Sequence, residues 1–302
     1  MMTTSHPLKA IGLLISAMAI LPLIDVIAKF LGREHIPVFQ MVWARFFFGA
    51  LFTLPFALKI GGAKVLKPAL PLLHSARAAF LILGTAFFFS ALKFLPVADT
   101  LAIYFVQPII IVALSPWLLG EHVDLRRWVM VALGFAGVLI IIRPGIQAFN
   151  PGMLLALAAG ACSAFYILVT RHITGKTDAL LTTFHTSVIG AVVLTLLMPF
   201  IWKSVTTSQF LQLLLLGAIA IAGHYLITRA YDFAEASLLS PFNYTEMITA
   251  VILGWYFFAD FPDAYTFLGV AILISCALYI SWHERQKAIR FAPTGEVDYR
   301  EP

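Results

Sequence analysis

Residues 91–124, ALKFLPVADTLAIYFVQPIIIVALSPWLLGEHVD, and residues 230–263, AYDFAEASLLSPFNYTEMITAVILGWYFFADFPD, are two versions of one pattern. A shift of 139 residues lays 91–141 on 230–280 without a gap, and the acidic loop at Glu121 falls on that at Asp260. Any two apolar runs share some residues by chance, so the ungapped register and the common loop position are what indicate an internal repeat. Identical pairs include Ala91/Ala230, Phe94/Phe233, Ile109/Ile248, Val112/Val251, Leu114/Leu253, Asp124/Asp263 and Leu139/Leu278.

The composition requires a bilayer as solvent. Apolar residues are 61% of the chain and charged residues 12%, against about 45–50% and about 25% in soluble proteins. A soluble core of 302 residues could not bury that much apolar surface. The net charge of +5 comes from Lys and Arg spread over short loops, whereas nucleic-acid binding needs a basic face. We therefore predict an all-α integral membrane protein with the bilayer, and no nucleic acid, as its partner.

Ten apolar segments are long enough to cross a bilayer as helices, which takes about 20 residues each. Short, turn-rich loops separate them, so five fall in a first repeat at 8–142 and five in a second at 150–282, followed by a polar tail at 283–302. An odd number of spans in each repeat requires the two repeats to insert in opposite orientations. The segments are 8–31, 38–58, 72–93, 96–118, 126–142, 152–171, 180–200, 210–231, 237–258 and 264–282.

Lys and Arg residues in the loops predict the orientation. Fourteen lie on one side of the membrane and four on the other, with Arg77 counted among the fourteen loop cations. Cytoplasmic loops carry the excess of these residues. We therefore expect both termini to be cytoplasmic, in a multi-pass protein of the cell inner membrane.

Seven short motifs follow one another along residues 8–282. In this order and spacing they resemble the EamA branch of the drug/metabolite transporter superfamily. One departure is Ala259-Asp260, where the family pattern has Gly-Glu. The motifs are Asp25-x-x-x-Lys29, Trp43-Ala-Arg45-Phe, Ala91-Leu-Lys-Phe-Leu-Pro-Val-Ala, Leu118-Leu-Gly-Glu121, Gly134-Phe-Ala-Gly137-Val-Leu-Ile-Ile-Ile-Arg143-Pro, Ala236-Ser-Leu-Leu-Ser-Pro241 and Asp260-Phe-Pro-Asp263.

The resemblance implies a secondary transporter of a small organic metabolite that works by alternating access. Two groups within the superfamily are similar to this chain, the bacterial S-adenosylmethionine and riboflavin transporters, so a nucleoside-like or flavin-like substrate is expected. An amino-acid or drug exporter is the alternative within the family. The resemblance also implies peripheral fifth and tenth helices, which could mediate a homodimer.

Glu246 is the first candidate for the substrate site, because a carboxylate within a membrane helix is costly and needs a partner or a wet cavity. Asn243 lies three residues before it on the same helix face, and the repeat register places Tyr104 and Gln107 opposite these two residues. Polar stripes related by an inverted repeat are typical of a transporter site near the membrane midplane. The alternative is that Glu246 only braces the bundle through a neighbouring helix.

Asp25, Lys29 and Arg45 form a second set of intramembrane charges. Asp25 and Lys29 are four residues apart with the acid first, an order that favours pairing, although Lys29 could equally snorkel to the surface. Arg45 either holds a substrate carboxylate or forms an ion pair with Asp25, which lies at a similar depth. On one interpretation these side chains form a gate or contact the substrate. On the other they only stabilise the packing of the helices.

His224 and the tyrosines complete the candidates. Histidine can relay protons near neutral pH, but a single membrane histidine is also a common hydrogen-bonded core residue. Tyr104, Tyr166 and Tyr244 could form stacking walls for a planar ring, or contact lipid and core instead.

The sequence contains no phosphate loop, metal-ligand spacing or nucleophile–base set. Its two cysteines, Cys162 and Cys276, both lie within apolar runs. We therefore expect neither an enzyme nor a cofactor. A membrane receptor and an intramembrane enzyme remain the alternatives from other functional classes.

Overall fold

The computed structural model describes residues 6–121, 123–143 and 150–259, and within 264–282 every position except 266, 270, 273, 277, 280 and 281. These residues form helices joined by short turns, with no β-strand among them. The connection at 260–263 and the tail at 283–302 lie outside the described residues. The helices are α1 Pro7–Ile20, α2 Pro22–Arg33, α3 Val38–Gly61, α4 Pro71–Ala91, α5 Val97–Tyr104, α6 Gln107–Leu119, α7 Leu125–Ile142, α8 Pro151–Ile173, α9 Ala179–Thr195, α10 Met198–Ile201, α11 Thr207–Tyr231, α12 Ala236–Leu239 and α13 Glu246–Phe258, with 3₁₀ turns at Gly62–Leu66 and Ser240–Thr245.

Within the described residues, six helical stretches are long and apolar enough to cross a bilayer. Four contain a single α-helix each, α3, α4, α8 and α11, while α1 with α2 and α5 with α6 make the other two. The apolar helix α9 is shorter. Each of them overlaps a segment predicted from the sequence, and the largest difference is at the end of Val38–Leu66, which extends eight residues beyond the predicted segment 38–58. The chain is therefore a multi-pass membrane protein.

Among the described membrane helices, three interruptions that coincide with a proline lie at the α1–α2 joint, at the α5–α6 joint and before α13. Pro22 opens α2, Pro108 lies at the start of α6, and Pro241 lies in the 3₁₀ turn before α13. Proline has no N–H to donate, and its ring clashes with the carbonyl of the preceding turn, so an α-helix kinks or stops there. In membrane proteins, such irregular backbone is tolerated where it is buried in protein or lines a cavity.

The repeat seen in the sequence is present in the backbone. Helix α6 runs from Gln107 to Leu119 and α13 from Glu246 to Phe258, so both have 13 residues and both begin and end 139 positions apart. The residues that follow them, Gly120 and Ala259, both adopt the left-handed conformation, with φ of 68° and 56°. The departure from the family pattern at Ala259 therefore places a Cβ where the first repeat has glycine.

Helix α8 packs along α4, α5 and α6, and one glycine permits its closest approach. A Cβ added at Gly160 would lie 2.3 Å from the carbonyl oxygen of Tyr104, the last residue of α5. This is too short for any side chain. Gly160 therefore lets α8 support the interruption between α5 and α6 directly.

One end of the bundle, which we call the Glu121 face, is tied together by contacts between the repeats. The Glu121 carboxylate lies 3.1 Å from Arg171 Nε and accepts the backbone N–H of Ala236 at 3.0 Å. Arg171 also donates to the Tyr231 carbonyl oxygen at 2.6 Å. Glu121 belongs to the first repeat and the other three residues to the second, so the two bonds of Glu121 hold the repeats together at this end, and the Arg171–Tyr231 bond fixes Arg171 within the second repeat.

Candidate functional site

A cavity of about 90 Å³ lies where the three helix interruptions meet. Leu21 comes from the α1–α2 joint, Tyr104 and Gln107 flank the α5–α6 joint, and Asn243 and Glu246 flank the joint before α13. The wall is completed by α3, α4, α8 and α11. Residues paired by the sequence register thus face the same cavity in the folded protein.

Two carboxylates and one guanidinium line this central cavity. Asp25 on α2 and Glu246 on α13 are carboxylates that each keep only 8% of their surface exposed, and Arg45 on α3 is the cation. When all three are ionised, the carboxylates exceed the guanidinium by one charge. Charges interact more strongly in a cavity of low dielectric than in water. The arrangement therefore favours a cation as the occupant.

Arg45 is held by neutral partners. Its guanidinium donates to the Thr85 hydroxyl and to Nε2 of His224, and no oxygen of Asp25 lies within the 4.0 Å of an ion pair. The direct Asp25–Arg45 pair considered from the sequence is therefore not formed in this structure. Asp25 and Arg45 face the same cavity without touching.

The contacts of His224 fix its tautomer. A guanidinium has only donors, so Nε2 of His224 must accept from Arg45 and the ring proton must lie on Nδ1. Nδ1 then donates to the Tyr166 hydroxyl at 2.8 Å. A doubly protonated His224 could not accept this bond, so the Arg45 contact requires the neutral ring.

Aromatic side chains make up much of the remaining wall. The Tyr104 hydroxyl lies 2.6 Å from the Ser163 hydroxyl, and the Tyr104 ring packs edge-on against Phe88 at 5.3 Å between centroids. Phe80 and Phe89 also line the cavity. Such a wall can pack against a planar ring while the charged residues orient the rest of a ligand.

Comparison with known proteins assigns the fold to a family. Two parts of the chain, residues 8–143 and 150–282, each match the EamA-like transporter family. The chain belongs to the EamA-like transporter family. The two matched parts contain the interruptions that recur 139 residues apart, so the family architecture and the repeated backbone agree.

Named relatives of this EamA-like chain are transporters. It is similar to an S-adenosylmethionine uptake transporter of Rickettsia bellii, with 28% identity over 263 residues that cover 87% of this chain and 89% of the relative. It is also similar to a riboflavin transporter of Rhizobium johnstonii, with 27% identity over 272 residues and 88% of each chain covered. A solved crystal structure shares its fold with a TM-score of 0.72, at 21% identity over 91% of this chain and 97% of that one.

Most of the side chains singled out in the sequence lie on the central cavity, and two do not. Lys29 does not line the central cavity, and its ammonium lies 4.6 Å from the ring centroid of Phe258. Tyr244 packs beside Gly134 of α7, and its hydroxyl lies 3.5 Å from the Val131 carbonyl oxygen. Those on the cavity are Asp25, Arg45, Tyr104, Gln107, Tyr166, His224, Asn243 and Glu246.

The 3₁₀ turn explains the position of Tyr244. A 3₁₀ helix has 3.0 residues per turn instead of 3.6, so successive side chains are rotated by about 120°. Asn243 and Glu246, three positions apart, therefore share a direction, and Tyr244 between them points elsewhere. Of the three tyrosines considered as stacking walls, Tyr104 and Tyr166 thus line the cavity, and Tyr244 takes the alternative of a core contact.

Arg77 is the clearest correction to the sequence interpretation, which counted it as a loop cation. Helix α4 begins at Pro71, so Arg77 lies in its second turn, and the side chain is fully buried. Its partners include Tyr166 and Thr170, which with Ser163 lie three and four residues apart along α8. That polar stripe was the signal in the sequence that could have revealed both Arg77 and this wall of the cavity.

A larger recess of about 630 Å³, which we call the vestibule, lies at the end of the bundle opposite the Glu121 face. Lys29, Arg33 and Lys93 contribute positive charge to it. Phe89 lines both the vestibule and the central cavity. The Phe89 side chain is thus a partition between them.

Proposed function

We propose that this protein is a secondary active transporter that takes up a small organic cation of the S-adenosylmethionine type. The observation that carries the proposal is the excess of carboxylate over guanidinium in the central cavity. Asp25 and Glu246 are both buried there, and Arg45 balances only one of them. The sulfonium of S-adenosylmethionine supplies the missing positive charge.

The relatives support this assignment in part. The names of the two relatives contain S-adenosylmethionine and riboflavin, and both compounds have a planar ring that an aromatic-walled cavity can pack against. Riboflavin, which is neutral, is the second candidate because Phe80, Phe88 and Tyr104 could stack on its ring. The charge of the cavity favours the sulfonium compound over the flavin.

Transport follows from alternating access in this proposal. Ligand pockets have volumes of about 300–1,000 Å³, whereas the central cavity has about 90 Å³, so the structure represents a contracted state. In the orientation predicted from the loop charges, the vestibule is extracellular and the Glu121 face is cytoplasmic. Movement of Phe89 would admit substrate from outside, and separation of Glu121 from Arg171 would release it inside.

Two inverted repeats provide the mechanism of this alternation. Helices α6 and α13 both start at the cavity and would extend towards opposite membrane surfaces, so a rocking motion of one repeat against the other exposes the cavity to each side in turn. Alternation in a bacterial inner membrane would then deliver the metabolite to the cytoplasm.

The test is uptake of labelled S-adenosylmethionine into proteoliposomes, with competition by unlabelled compounds. S-Adenosylhomocysteine is the matched competitor, because it lacks the methyl group and with it the sulfonium charge. We expect S-adenosylmethionine to compete at least tenfold better than S-adenosylhomocysteine, and riboflavin to compete weakly. Saturable uptake of riboflavin with no S-adenosylmethionine uptake would instead establish the flavin alternative.

A further inference from the structure

Arg77 is buried in the membrane core among neutral partners. Its Nε donates to the Thr170 hydroxyl at 2.7 Å, and one terminal nitrogen donates to Tyr166 at 2.7 Å and to Thr228 at 2.9 Å. The other terminal nitrogen donates to the Thr186 hydroxyl and the Thr182 carbonyl oxygen. All its donors are used, and they join α4 to α8, α9 and α11.

The described part of the chain contains no carboxylate within ion-pair distance of Arg77. Arginines elsewhere in the protein do have acidic partners, such as Arg171 with Glu121 and Arg127 with Glu235. A buried charge without a counter-charge is costly, and a carboxylate bound bidentately is a stronger partner for guanidinium than hydroxyl groups are. Arg77 therefore retains an unmet preference for a carboxylate in this structure.

A separate, smaller gap adjoins the central cavity on the side of Arg77. This gap of about 20 Å³ lies between Arg45 and Arg77, and Tyr166 and His224 belong to the walls of both the gap and the central cavity. Two guanidinium groups and no carboxylate line this gap. The central cavity thus carries the carboxylates of Asp25 and Glu246, and the adjoining gap carries the two guanidinium groups.

We infer that Arg45 and Arg77 form a carboxylate subsite, so that the transporter recognises a zwitterion and not merely a cation. This inference rests on the proposed function. The cationic part of the substrate lies at Asp25 and Glu246, while its carboxylate reaches the two arginines. S-Adenosylmethionine has both groups, since a methionine carboxylate is attached to its sulfonium centre through a short chain.

Binding at this subsite is coupled to the threonines that hold Arg77. A gap of about 20 Å³ has room for a water molecule but not for a carboxylate. The substrate carboxylate therefore has to displace hydroxyl partners such as Thr186 and Thr228. These partners lie on α9 and α11, so their release loosens the packing near the Glu121 face when substrate is bound.

The experiment compares competition by S-adenosylmethionine and by its decarboxylated analogue against labelled S-adenosylmethionine in proteoliposomes. The analogue keeps the sulfonium and the amine. Wild-type protein should prefer the carboxylate-bearing compound by at least tenfold. In Arg77→Gln the preference should fall at least threefold, because only Arg45 remains to bind the carboxylate, with the affinity for the analogue unchanged. The control Arg229→Gln, which alters a pair with Asp232 away from the cavity, should keep the preference.

Thr228→Val covers the case in which Arg77→Gln does not fold. This variant keeps the charge and removes one hydroxyl acceptor, so the carboxylate displaces one bond fewer. Affinity for S-adenosylmethionine should rise about threefold to tenfold, with no change for the analogue. Equal competition by the two compounds in wild-type protein, or an unaltered preference in folded Arg77→Gln or Thr228→Val, would overturn the subsite. Absence of saturable S-adenosylmethionine uptake by the wild type would instead overturn the proposed function.

Discussion

Replacing Glu246 by glutamine isolates the charge on which the proposed function depends. The substitution keeps the size and the hydrogen-bonding oxygen but removes one of the two cavity carboxylates, so Asp25 and Arg45 balance each other. At an effective dielectric constant of about 20, opposite unit charges about 5 Å apart attract by roughly 3 kcal/mol. Desolvation of the substrate charge offsets part of this attraction. The substitution should therefore weaken the binding free energy of a cationic substrate by about 2 kcal/mol, or about 30-fold in affinity.

Competition by S-adenosylmethionine and S-adenosylhomocysteine measures this loss. In Glu246→Gln the first compound should weaken about 30-fold, and the uncharged second compound should change little. The reciprocal variant Gln107→Glu, combined with Glu246→Gln, returns a carboxylate at the position related by the repeat and should recover part of the affinity. An unchanged ratio between the two compounds in folded Glu246→Gln, accompanied by a lower melting temperature, would show that Glu246 only braces the bundle.

Four further predictions concern the fold. Ala259→Gly should raise the free energy of unfolding by about 1 kcal/mol, because Ala259 has a φ of 56°. Gly120→Ala should lower the free energy of unfolding by a similar amount. Effects of the same sign in the two variants would refute the idea that both residues end their helices in the same left-handed conformation. Gly160→Ala should cost about 1–3 kcal/mol by overpacking, while Gly12→Ala, with open space around it, should not destabilise the protein. Reporter fusions after Lys203 and after Arg290 should report opposite sides of the membrane, and the same side for both would contradict the inverted repeats. A cysteine introduced at Ser163, in a protein without the native cysteines, should react faster with an impermeant thiol reagent added on the vestibule side when Phe89 is replaced by alanine. An unchanged reaction rate would show that Phe89 does not separate the vestibule from the central cavity.

Hydropathy predicted the apolar helices and the ungapped register predicted the repeat, but neither predicted the interruptions within the helices. The sequence register paired Gln107 with Glu246, and the structure starts α6 and α13 at these two residues. A hydropathy average does not change at a proline within an apolar run, so the joints at Pro22, Pro108 and Pro241 were not predicted. Proline alone does not locate these joints either, because Pro55 and Pro116 lie inside the continuous helices α3 and α6.

Tertiary contacts explain what the sequence could not provide. Arg77 was interpreted as a loop cation because it is close to the end of an apolar run. Its burial depends on hydroxyl groups from three other helices, which no local pattern brings together. Likewise, Arg45 was expected to choose between Asp25 and a substrate, but its bonds are to Thr85 and His224.

The two repeats share a backbone at the cavity and differ in chemistry there. Gln107 and Glu246 open helices of equal length, and Tyr104 and Asn243 precede them at matching positions. Alternating access needs equivalent joints, because each repeat must swing about the same centre, but it places no such requirement on the side chains. A carboxylate at this position in only one repeat fits the proposed substrate recognition, and bracing of the bundle by Glu246 is the alternative. The Gln107→Glu and Glu246→Gln exchange separates these requirements: it leaves the joints in place and moves only the charge.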